Sequence, residues 1–232
     1  MPSNMDPNMT DQIIDKAKSS GASLAGVARV DSLLSSPSHE QYNEVALPRG
    51  AKSILVLALV HGETEPELDW WDGNRGTPGN RHLIEVGGEV AKWLKKEYNI
   101  NARDLPYHVE KGGVFLKDAA VLAGLGTIGL NNLLITPQYG PRVRLRALVL
   151  DRTVVPSGPV DFDSCAGCEM PCKKACPQNA FRDGPYSRAL CNEQMERDKA
   201  SPVPSHERDK KGRSSFLVKY CRACELACPI GQ

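Results

Sequence analysis

The chain has 232 residues, 41% of them hydrophobic and 25% charged, with 29 Lys+Arg against 28 Asp+Glu and a net charge of +1. Such a composition suits a globular protein with one moderate domain and a small second one. The near-zero charge excludes broad attraction to nucleic acid, and no apolar run reaches the roughly 18 residues of a membrane span. Without a signal-type N-terminus, the expected location is cytoplasmic and no membrane partner is expected.

Met1 to Thr10 is polar and predicted to fray. Asp11 to Ser19 carries Ile13, Ile14 and Ala17 at helical spacing, with Gly21 as a stop. Ala22 to Val30 is a short apolar run that predicts a strand. Ser53 to Val60 (SILVLALV) is a stronger one, apolar almost throughout, as in a strand covered on both faces. Gly62 to Gly79 is a long acidic loop with Trp70 and Trp71, of the kind used as a lid or binding loop. Leu83, Val86, Val90 and Leu94 step by 3, 4 and 4, so Arg81 to Glu97 is an amphipathic helix. Phe115 to Leu122 reads as a helix that ends at Gly124. Leu133 to Thr136 and Val143 to Asp151 read as paired strands around Pro137–Pro141. Residues 152–164 read as a linker, and Ala200 to Ser215 as a polar surface excursion.

The pattern Gly124-x-Gly126-x-x-Gly129 has the glycine spacing of a dinucleotide loop but follows a helix instead of a strand, so that reading is rejected. Three glycines in six residues still let the backbone pass close to a ligand or another segment.

All eight cysteines fall in the last 68 residues. One run is Cys165-x2-Cys168-x3-Cys172-x3-Cys176-Pro177; the other is Cys191, then Cys221-x2-Cys224-x3-Cys228-Pro229. A [4Fe–4S] cluster takes four thiolates, and bacterial two-cluster ferredoxins draw three from one run and the fourth, before a proline, from the other. One predicted set is therefore Cys165, Cys168, Cys172 and Cys228; the second is Cys176, Cys191, Cys221 and Cys224. Two departures stand: x3 between the second and third cysteines, and 29 residues between Cys191 and Cys221. Loop closure cost grows only slowly with length, so the insertion is tolerable. Disulfides suit small secreted chains, and zinc sites seldom repeat Cys-Pro endings. The cysteine region, residues 165–232, holds 12 Lys+Arg against 8 Asp+Glu; the remainder holds 17 against 20. Cations there would offset the negative charge of thiolate-bound clusters.

Three stretches carry a family resemblance: LPRGAKSILVLALV (47–60), AGLGTIGLNNLLITPQYG (123–140), and the cysteine order with one isolated cysteine between two runs. Together they resemble the epoxyqueuosine reductase family and, more distantly, the corrinoid reductive dehalogenases. The resemblance implies an α+β fold: a nitroreductase-like α/β domain over residues 1–155, binding cobalamin and substrate, and a bacterial-ferredoxin-like domain with two [4Fe–4S] clusters over 156–232. It implies an oxidoreductase in which the clusters feed electrons to a base-off cobalamin that reduces a small molecule, supplied by a low-potential donor such as ferredoxin or flavodoxin. The alternative is an electron-transfer protein that reduces a separate corrinoid protein or other partner.

The family's Trp and Lys in the glycine-rich segment are Thr127 and Leu130 here, and its acidic stretch corresponds to Leu105–Gly113, where Glu110 is the nearest carboxylate. The helical repeats of many members have no counterpart before Gln232, so a tRNA substrate is not expected. Reduction needs an acid beside the substrate, which makes Tyr107, His108 and Glu110 the catalytic candidates, with Tyr139 and His61 next. Lys111, Gly124, Gly126, Gly129, Asn131 and Asn132 are the expected cofactor contacts. His39, His82 and His206 read as surface residues.

Overall fold

Ser53–Val60 alternates its side chains between two separate apolar layers, which is why nearly every residue in it is apolar. Leu55 and Leu57 face one cluster of buried side chains; Ile54, Val56 and Ala58 face another. In the computed structural model the chain is described over residues 7–42, 46–181, 184–208 and 214–232. The elements in order are α1 (Pro7–Ser19), β1 (Leu24–Arg29), α2 (Val30–Leu34), α3 (Pro37–Tyr42), β2 (Ser53–Val60), β3 (Trp71–Asp72), α4 (Pro78–Tyr98) and β4 (Ala102–Asp104). There follow α5 (Leu116–Leu122), β5 (Thr127–Ile128), β6 (Leu134–Ile135), β7 (Val143–Leu150), α6 (Pro171–Ala175), α7 (Arg188–Ala200), β8 (Val203–Arg208), β9 (Ser214–Val218) and α8 (Ala223–Leu226).

The main sheet has the order β1-β2-β7-β4, with every neighbouring pair antiparallel. Helices α1 and α4 cover one face and α2 and α5 the other. Helix α4 shows how sequence sets this arrangement. Thr77 caps its N-terminus by accepting from the Asn80 N–H at 3.1 Å, Pro78 opens it, and Asn99 closes it in the left-handed region (φ 52°). Its stripe of Leu83, Val86, Val90 and Leu94 is fully buried against the sheet. Each such side chain contributes about 1.5–3 kcal/mol of burial, an upper range because denatured chains already bury some surface.

Several sequence expectations change. Met1–Asp6 lies outside the described residues, but Pro7–Thr10 is helical and extends α1. β6 pairs with β5, and β7 pairs with β2 and β4, so the predicted pairing of Leu133–Thr136 with Val143–Asp151 does not form. The predicted linker is tied to the sheet: Val154 N–H donates to Ser53 Oγ (3.0 Å), Val27 N–H to Ser157 Oγ (2.8 Å), and Thr10 Oγ1 to Val155 O (2.8 Å). Of the surface excursion predicted over Ala200–Ser215, residues 209–213 lie outside the described residues; the remainder gives β8 and the start of β9, which pair with each other, and β9 pairs with β3 from the acidic loop, Trp71 opposite Val218. Trp70 adds a stacked cation, Lys219 Nζ, at 3.9 Å. The polar character was legible; the partner, about 147 residues away in sequence, was not.

Candidate functional site

The cysteines build two groups of four. None of the eight is bridged to another. Cys165, Cys168, Cys172 and Cys228 line one small pocket together with Leu130, Asn131, Met170 and Pro229. Burial raises the thiol pKa of Cys172, with further upward pressure from Cys228, Cys165 and Cys168. The Cys224 thiol is pushed up to about 12, first by burial and then by Cys221, Cys191 and Cys176. Cys172 and Cys224 therefore each feel the other three of their own predicted set. Mutual repulsion among four thiolates held together is the condition that a bound cation relieves.

Local structure explains how the sequence reaches these groups. Cys191 lies on α7, where residues 191, 194 and 198 share a face. Asp198 Oδ2 accepts the Cys221 N–H at 2.7 Å, and Gln194 Nε2 donates to Asp198 Oδ1 at 2.7 Å. Among its described residues, the 29-residue insertion continues α7 beyond Cys191 and adds the paired strands β8 and β9 before Cys221. Main-chain N–H groups point at sulfur from Leu130 to Cys165 (3.4 Å), Met170 to Cys168 (3.4 Å) and Ala180 to Cys176 (3.3 Å). Such donors stabilise thiolate charge and suit iron–sulfur ligation, so the donor set fits [4Fe–4S] groups.

The glycine-rich turn spans both groups. Besides the Leu130 bond to Cys165, Asn131 Nδ2 donates to Cys224 O at 3.4 Å. Gly124 (φ 76°) packs on Ser157 and Gly158, Gly126 on the Ile135 carbonyl, and Gly129 on the Ile135 side chain. Asn131 is 3% exposed and its Oδ1 accepts the Leu133 N–H (3.2 Å); the Asn132 carbonyl accepts from Lys117 Nζ (2.6 Å). At Gly124, Gly126 and Gly129, the close approach that glycine permits is to the chain's own atoms; the expectation that these residues, with Asn131 and Asn132, contact a cofactor stays a proposal. Lys111 is exposed at the end of a 3-10 turn, Val109–Lys111.

Tyr107, His108 and Glu110 lie together at the surface. The Tyr107 ring meets His108 edge-on at 5.4 Å, and His108 Nδ1 is 3.5 Å from Glu110 Oε1. No bond among the described residues joins them to either cysteine group. Tyr139 belongs to the turn that packs on Gly231.

Sequence reasoning missed the residues that join the two parts of the molecule. Buried Arg142 donates to the carbonyls of Glu225 (3.4 Å), Cys228 (3.2 Å) and Ile230. Around it, Asp69 pairs with Arg144, Arg222 pairs with Glu225 and donates to His61 O, and Arg222 Nε is 3.7 Å from Asp69. His61, Asp69 and Glu225 draw their ligand-type atoms within 4.8 Å of one another. Burial, then Arg222 and Arg144, lower the His61 pKa to about 3, which disfavours its protonated form. The adjacent guanidinium groups make that trio a poor cation site. His82 bonds Gly21 O at 3.1 Å, and the His206 side chain lies outside the described residues.

No family model matches the chain. It is 32% identical over 198 residues to an epoxyqueuosine reductase of Bacillus cereus, covering 80% of this chain and 50% of that protein. It is 40% identical over 119 residues to the tetrachloroethene reductive dehalogenase of Sulfurospirillum multivorans, covering 48% of this chain and 22% of that one. The chain is epoxyqueuosine reductase-like and related to the reductive dehalogenases. Both kinds of relative are oxidoreductases. The structure of epoxyqueuosine reductase from Streptococcus thermophilus superposes with a TM-score of 0.62 at 20% identity, over 97% of this chain and 66% of that one. A reductive dehalogenase described by a mechanism for B12-dependent dehalogenation superposes at 0.54 and 22% identity, over 78% and 27%. These likenesses show a shared mixed α/β fold. The chain spans about half the length, or less, of the curated relatives described here. No helix among the described residues is long and apolar enough to cross a membrane.

Proposed function

We propose that this chain is an iron–sulfur oxidoreductase that holds two [4Fe–4S] clusters, on Cys165/Cys168/Cys172/Cys228 and on Cys176/Cys191/Cys221/Cys224, and delivers electrons to a corrinoid that reduces a small molecule. The observation that carries the reading is the convergence of four thiols, three from the first run and one from the second, around one pocket. Leu130 and Met170 line that pocket and remain 55% and 38% exposed. They form an apolar rim against which a flat macrocycle can lie beside the first cysteine group. A corrinoid, when bound, supplies a cobalt centre that accepts electrons one at a time. The chain's residues supply the rest: Leu130 and Met170 exclude water at the rim, and His108 with Glu110 relays protons from the surface. The electron source in this reading is a low-potential ferredoxin- or flavodoxin-type donor.

A second reading is favoured by one observation. The polar groups of the glycine-rich turn are taken up inside the protein, which leaves the apolar rim to dock a separate redox partner instead of fixing a corrinoid. Anaerobic protein with eight irons per chain is expected from two cubanes, about four irons each. Addition of cobalamin under reducing conditions is expected to change the cobalamin spectrum, and Leu130→Asp to abolish that change with iron content intact. Iron-loaded protein that leaves the cobalamin spectrum untouched but reduces a partner protein supports the second reading. Stoichiometric zinc without iron refutes both.

A further inference from the structure

Resting on the two-cluster reading, the surroundings of the two cysteine groups are unequal in charge. Beside Cys228 of the first group lies the buried Arg142 guanidinium, whose hydrogen-bond partners among the described residues are three main-chain carbonyls; its charge also acts on Glu225. Beside Cys221 of the second group lies the Asp198 carboxylate, whose partners there are the Cys221 N–H and a glutamine amide, with no cation. The other buried charges nearby pair off, Arg144 and Arg222 with Asp69 and Glu225, which leaves the three guanidinium groups one positive charge in excess of the two carboxylates. Lys173 and Lys174 sit between Cys172 and Cys176, so they favour neither group, and they are exposed, as is Arg188; water and salt screen such charges. Hydrogen bonding is shared more evenly. Main-chain N–H groups of Leu130, Met170, Lys173 and Ile230 reach sulfurs of the first group, and those of Ala180 and Ala223, with the Tyr186 hydroxyl, reach sulfurs of the second. The Cys221 N–H is directed to Asp198 instead of to sulfur.

A reduced cluster carries one more negative charge than an oxidised one. A buried cation and N–H donors stabilise that charge and raise the potential; an unpaired carboxylate lowers it. We infer that Arg142 and Asp198 are positioning residues that hold the first cysteine group at a higher potential than the second, so that electrons enter at Cys176/Cys191/Cys221/Cys224 and collect at Cys165/Cys168/Cys172/Cys228. One electron leaves the second group as it returns to its oxidised state, and one is gained by the first; no bond or proton changes. The electron is replaced by a low-potential one-electron donor, such as a reduced iron–sulfur protein. The receiving group is the one whose sulfur accepts the Leu130 N–H and whose pocket carries the Leu130–Met170 rim, so the tilt directs electrons towards the place where an acceptor docks.

The test is an anaerobic redox titration of the full, iron-loaded chain followed by electron paramagnetic resonance, which reads each cluster without requiring turnover. Cys191→Ser damages the second group, and the signal that survives is expected to be the higher-potential one. Asp198→Asn keeps an acceptor oxygen for the Cys221 N–H but removes the charge; it is expected to raise only the lower potential. Arg142→Gln is expected to lower only the higher one, and Arg142→Lys, which keeps the charge but not the three carbonyl bonds, to restore it. Each charge removal is expected to change the electron's preference between the groups by about tenfold, or ~59 mV for a one-electron couple. Eight irons with the reverse order, or a gap that neither charge removal moves, overturns this inference and leaves the cluster reading standing. Absence of iron overturns the cluster reading and the inference with it.

Discussion

The sheet region and the cysteine region of this molecule are held together by different physics. Between residues 13 and 154 some thirty hydrophobic side chains are buried in two layers. Beyond residue 164, only Ala180, Phe181 and Cys228 are buried hydrophobics among the described residues. Helix α7 buries no residue at all, and α6 and α8 are short. The first region can close on hydrophobic burial alone. The second has too little apolar area to offset its own chain entropy, so in the proposed two-cluster reading its folding is expected to couple to metal binding and to contacts with its neighbour.

The largest effect that tests this contrast is removal of iron. Anaerobic chelation is expected to release protection from hydrogen exchange across 165–232 and to leave β1, β2 and β7 protected; uniform loss across the chain would sink the contrast. Cys191→Ser is expected to halve the iron, from about eight atoms to about four, as read by metal assay. Leu83→Ala strikes the other region. It removes a fully buried side chain and is expected to cost about 2–5 kcal/mol in denaturant unfolding, with iron content unchanged. Gly126→Val sharpens the boundary. A side chain there overlaps the Ile135 carbonyl, so a loss of several kcal/mol is expected, with or without any cobalamin in the sample.

The smallest effect is pH dependence at the junction. His61 has a pKa near 3 in the fold, because of burial and then Arg222 and Arg144, against about 6.5 unfolded. Between those values the unfolded chain binds the extra proton, so stability is lost as pH falls from about 6.5 towards 3. Glu225, raised by burial, contributes the opposite sign and is present in both chains compared. His61→Gln is expected to flatten the acid side of the stability curve; parallel curves at equal iron content would remove His61 from the account.

What the sequence disclosed follows from period and spacing. Ser53–Val60 and the Leu83–Leu94 stripe were legible because burial imposes a period on each. The division of cysteines into two groups was legible because ligand spacing carries chemistry. Two-residue strands such as Thr127–Ile128 and Trp71–Asp72 have no period, so their partners were not. Three glycines announced close approach but not to what, and Ile135, Ser157 and Gly158 proved to be the answer. Arg142 follows the Pro137–Pro141 turn without a period or motif of its own; only the return of Cys228 and Ile230 to its guanidinium gives it a role.

The pairing of β3 with β9 also sets a schedule for synthesis. Trp71 leaves the ribosome about 147 residues before its partner Val218. At 5–20 residues per second that is a delay of roughly 7–30 s. During it the acidic segment waits with Trp70 and Trp71 unpaired, and Asp69 lacks Arg144 and then Arg222. The negative charges clustered at Glu63, Glu65, Glu67, Asp69 and Asp72 are well placed to keep that waiting segment from pairing with another nascent chain.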